Sequence, residues 1–100
     1  MNALEYLIDE LMDDECVEGI VFGENGCVPS RCQESVMPLE SAACFLVGMD
    51  LGGRSNFPAC GAMLVWTDLR LLWTVEYDGV SRLDWAPRHP VNWVPRMGFC

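Results

Sequence analysis

Residues 62–85 read AMLVWTDLRLLWTVEYDGVSRLDW, and the fold turns on this stretch. Ala62 to Trp66 is a short apolar run, Thr67-Asp68-Leu69 allows a tight reversal, and Arg70 to Tyr77 alternates in character. A period of two is that of a strand. It sets Leu71, Trp73, Val75 and Tyr77 on one side and Arg70, Leu72, Thr74 and Glu76 on the other, with Trp73 and Tyr77 expected in the core. Asp78-Gly79 is a strong signal for a two-residue hairpin turn, whose central positions need positive φ. Val80 to Trp85 then returns as a third strand. The stretch predicts a three-stranded antiparallel meander.

On the N-terminal side, Val17 to Gly23 (VEGIVFG) is rich in β-branched and aromatic residues and predicts a further strand. Glu24-Asn25-Gly26 is a turn signal, and Pro29, Ser30 and Gln33 make residues 27–37 a loop. Pro38 to about Val47 suits a second helix, with Pro38 at its first position and Glu40 near the positive end of its dipole. The apolar run AACFLVGM within it is equally readable as a strand. Residues 52–56 (GGRSN) form a loop, and Pro87, Pro90 and Pro95 keep the tail irregular. Residues 3–15 predict an amphipathic helix. Leu4, Leu7, Ile8, Leu11 and Met12 form its buried stripe, Asn2 its N-cap, and Glu5 the third residue of a capping box. The expected architecture is α+β: a three- to four-stranded antiparallel sheet with an acidic N-terminal helix, and a second helix or strand at 38–50, on one face.

The 100 residues suit one domain, 1–100, and the 51% apolar content with four Trp argues against disorder. No apolar run approaches the 18 or so residues of a membrane span. The acidic N-terminus lacks the basic start of a signal peptide, so the expected location is the cytoplasm. Six Cys is an even number, but Cys16, Cys27, Cys32, Cys44, Cys60 and Cys100 contain no C-x2-C pair. Cys27 and Cys32 fit a zinc pattern weakly, its second half is missing, and His89 is the only His. Reduced thiols are expected, with no metal and no cofactor.

The net charge is −9, and it is unevenly spread. Glu5, Asp9, Glu10, Asp13, Asp14, Glu15, Glu18 and Glu24 all fall between Met1 and Glu24, a segment that holds no Arg or Lys. From Asn25 onward the chain holds seven acids and six Arg and is nearly neutral. Nucleic acid is a poor direct ligand for such a chain, because phosphate contacts need clustered cations. A basic protein surface is a better match. On a helix, Glu5, Asp9, Glu10 and Asp13 lie opposite the leucine stripe with Tyr6 among them, and like charges at i, i+4 destabilise the helix by about 0.2–0.5 kcal/mol each. The residues expected to bind a partner are therefore Tyr6, as aromatic anchor, with Asp9, Glu10, Asp13 and Asp14. The same face also reads as a merely solubilising surface.

Two other groups carry less chemistry. Asp68, Arg70, Asp78, Arg82, Asp84, Arg88 and His89 alternate in sign along what are expected to be exposed strand faces, which suits cross-strand ion pairing. Ser41, Ser55 and Thr67 lack a nucleophile-elbow context, and Gly52-Gly53 lacks the rest of a phosphate loop. No catalytic residue is assigned. Trp93 and Phe99 in the tail are expected to pack onto the sheet, or else to form part of an interface.

Glu18-Gly19-Ile20-Val21-Phe22-Gly23, Val65-Trp66-Thr67-Asp68-Leu69-Arg70, Tyr77-Asp78-Gly79 and Pro87-Arg88-His89-Pro90 together resemble a pattern in small proteins of tailed phages and prophages. The resemblance covers less than half of the chain and leaves 24–60 unmatched. It implies no catalytic or binding residue. It does suggest a non-enzymatic phage inhibitor in the host cytoplasm whose acidic surface binds a basic, nucleic-acid-binding host protein. An anti-CRISPR role is the most concrete form, by analogy of class alone. The alternatives are a small oligomeric structural or accessory phage protein, homodimeric in its simplest form, and an enzyme acting on a small molecule.

Overall fold

A computed structural model describes residues 2–24, 26–53 and 55–89. Helix α1 spans Ala3–Glu10, strand β1 Val17–Phe22, helix α2 Leu39–Leu46, and strands β2 Met63–Thr67, β3 Arg70–Tyr77 and β4 Val80–Pro87, with one 3-10 turn at Ser30–Cys32. The four strands form one antiparallel sheet in the order β1-β2-β3-β4. The expected meander and added strand are thus present. The Asp78-Gly79 turn carries φ of 53° and 78°, as its hairpin geometry needs. The ambiguous stretch after Pro38 is a helix, with Pro38 at the N-cap, one position before the expected one.

Both helices pack on one face of the sheet. Ala3 and Leu7 of α1 and Ala42 and Leu46 of α2 share a single core with Ile20, Phe22, Met63, Val65 and Leu72. The Phe22 and Phe45 rings meet edge to face with centroids 6.0 Å apart, a favoured aromatic geometry. The long link from β1 to β2 also protects the outer edge of β1. Ile20 and Met37 exchange backbone hydrogen bonds of 2.8 and 2.9 Å, and the Phe22 carbonyl accepts from the Glu34 N–H. Pairing of this kind blunts an edge that would otherwise bond other chains.

The structure corrects three expectations. First, α1 stops at Glu10, not near residue 15, because Leu11 turns extended at φ −73° and ψ 143°. A longer helix would have carried Asp13, Asp14 and Glu15 at its negative end. Instead residues 12–15 turn back, with the Glu15 N–H bonded to the Met12 carbonyl at 3.0 Å. Second, the buried stripe of α1 is Ala3 and Leu7 flanked by Leu4, Tyr6 and Leu11, while Ile8 and Met12 are each 51% exposed. Third, the inward side of β3 carries Arg70, Leu72 and Thr74; Trp73 is half-buried on the other face and Tyr77 is 54% exposed. Trp93, Phe99, Pro90, Pro95 and Cys100 lie outside the described residues, as do Asn25 and Arg54 within the expected turn and loop.

Candidate functional site

Helix α1 begins where sequence reading places it: the Asn2 side chain accepts the Glu5 N–H at 2.9 Å. The Ala3 N–H is anchored on the Met49 carbonyl at 2.8 Å. With Ala3 and Leu7 buried, Glu5, Asp9 and Glu10 are exposed on the helix and Asp13 and Asp14 on the turn after it. Tyr6 departs from expectation. It is half-buried against the core, and its Cε2 would stand 2.9 Å from a Cβ at Gly52, whose φ is +81°. Its ring is turned toward Gly52 and the core, not outward among the acids as expected. The exposed apolar side chains on this segment are Ile8 and Met12, four residues apart and interspersed with the acids.

Two of the eight N-terminal acids are ion-paired, one buried and one exposed. Glu15 is buried with Arg70. Arg70 Nε and Nη2 donate to Glu15 Oε2 and Oε1, both at 2.8 Å, the bidentate geometry a guanidinium favours. The Thr67 hydroxyl donates to Oε2 at 2.6 Å, and the Met12 N–H to Oε1 at 3.1 Å. Burial alone would raise the Glu15 carboxyl, but its hydrogen bonds to Arg70, Thr67 and the Met12 amide and the Arg70 charge outweigh that and hold it below the usual carboxylate range. Arg70 Nη2 also donates to the carbonyl of Glu10, the last residue of α1. Its guanidinium carbon stands 5.0 Å from the centre of the Trp85 ring, within cation–π range. One buried arginine thus ties the end of the acidic helix to β3 and β4. Sequence reading places Arg70 among exposed strand charges. Its 4% exposure corrects that.

Glu18 pairs with Arg88, whose Nη1 also donates to the Thr67 carbonyl at 2.7 Å. Asp68 Oδ1 accepts the Cys16 N–H at 2.9 Å, a further tie between the N-terminal segment and the β2–β3 turn. Glu5, Asp9, Glu10, Asp13 and Asp14 take part in neither ion pair among the described residues.

Other features are modest. A depression of about 420 Å³ is lined by Glu24, Gly26, Val28, Pro29, Ser30 and Gln33. A second, of about 230 Å³, has Cys60, Thr74, Glu76 and Ser81 in its wall. Burial, with the nearby Cys27, pushes the Cys60 thiol up to about 12, so it stays protonated at neutral pH. Ser55 donates to Asp50 Oδ1 through both its N–H and its hydroxyl at 2.9 Å, fastening the 50–59 loop. Cys16, Cys32, Cys44 and Cys60 are free thiols. No described helix is long and apolar enough to cross a membrane. No protein-family model, curated protein or solved structure matches this chain.

Proposed function

We propose that this chain is a non-enzymatic interaction protein that binds a basic protein surface through α1 and the turn after it. The observation that carries this reading is a row of exposed carboxylates — Glu5, Asp9, Glu10, Asp13 and Asp14 — with no cation among them and with Ile8 and Met12 exposed in their midst. A surface meant only to keep a protein in solution gains from mixed signs, which relieve i, i+4 repulsion. Here the repulsion stands, and the N-terminal acids that are ion-paired, Glu15 with Arg70 and Glu18 with Arg88, both follow this segment in the chain. An unrelieved negative field steers and orients a positive partner, and two apolar side chains within it supply contact area.

The partner that best fits is a nucleic-acid-binding protein, whose basic groove such a segment would occupy. The phage-like sequence pattern makes the host cell the setting and an inhibitor of host defence, an anti-CRISPR protein for instance, the concrete form. The test is affinity purification from host lysate with the wild-type chain and an Asp9→Asn/Glu10→Gln/Asp13→Asn variant, each at about 50 and 500 mM salt. Removing like charges should leave the fold as stable as before. The expected result is a basic partner whose retention falls at least about tenfold at high salt and in the variant. A partner held equally in all four conditions would refute the acidic surface as the binding site.

A further inference from the structure

We draw no further inference here: the strongest candidate, the half-buried apolar face of the sheet away from the helices, centred on Trp66 and Trp73 of the two middle strands, carries nothing because nothing in the structure shows what covers it.

Discussion

Replacing Glu15 with Gln should cost the protein far more than a change at any other acid of the N-terminal segment. The Glu15 and Arg70 side chains are 0% and 5% exposed, so both charges have left water. Each is tolerated because the other is there, with Thr67, the Met12 N–H and the Glu10 carbonyl adding further hydrogen bonds. Removing one member of a buried pair costs about 3–5 kcal/mol, most of it from the charge left behind. The amide oxygen of Gln can still accept one bond, which puts Glu15→Gln near the lower end, about 3 kcal/mol. Against the roughly 5–15 kcal/mol of a typical domain this is a large fraction, and at about 4–8 °C per kcal/mol it lowers Tm by about 12–24 °C.

Arg70→Met should cost at least as much, since it also frees the Glu10 carbonyl and exposes the Trp85 face. The double variant should lose clearly less than the two single losses added together, because neither buried charge then remains. Urea unfolding at pH 7, followed by Trp fluorescence and far-UV circular dichroism, measures all four corners of this cycle. Urea leaves ionic strength unchanged, so about 1 M salt can be added as a separate variable, and the pair should be nearly indifferent to it. A loss below about 1 kcal/mol for Glu15→Gln, or strictly additive variants, would place the pair among solvent-exposed ion pairs and refute the reasoning.

Two further outcomes follow from the same packing. The Glu15 carboxyl lies below its ordinary value of 4.5 in the folded chain, so its contribution to stability is present above that value and is lost as pH falls through the lower folded one; stability measured from pH 6 downward should decline, and Glu15→Gln should flatten part of the decline. Gly52→Ala should destabilise by about 2 kcal/mol, from positive φ and from contact with Tyr6, and by more than Gly79→Ala, where φ is also positive but nothing lies within 4 Å of the added Cβ; equal losses in thermal melts would show that Tyr6 is not packed there.

How much is legible in the sequence depends on how local the deciding physics is. The β2–β4 meander rests on period-two alternation and on Asp78-Gly79, all between Met63 and Pro87, and it reads correctly. The N-cap at Asn2 is just as local. The orientation of β3 is not. Both its sides are apolar enough to be core, and Leu71, Trp73, Val75 and Tyr77 outweigh Leu72 and Thr74 by composition. What turns the Arg70 side inward is Glu15, 55 residues earlier, and no window on the strand contains it. A signal is present at both ends: Glu15 stands at the unfavourable end of a supposed helix, and Arg70 opens an otherwise apolar strand. The end of α1 at Glu10 follows from the same pair, because a helix continued through 15 would carry that carboxylate away from the arginine it satisfies. Tyr6 is misread for a related reason. The space its ring fills is made by Gly52, which no helical wheel includes.

The pairing of Glu15 also bears on why the acidic face can exist at all. Like charges along α1 weaken an eight-residue helix that is too short to be stable alone. Its C-terminal end has no basic residue of its own, and the cation that ends it comes from β3, where Arg70 takes the Glu10 carbonyl. The guanidinium sits inside the molecule, so it stabilises the helix end while its charge is matched by Glu15 and leaves the outward field unneutralised. An exposed Lys or Arg in the last turn would have supported the helix equally well but would have cancelled that field. Supplying the cation from beneath keeps Asp9, Glu10, Asp13 and Asp14 uniformly negative toward solvent. That arrangement supports the proposed binding role, since a surface meant only for solubility gains from mixed signs and attraction to a basic partner needs the field left whole.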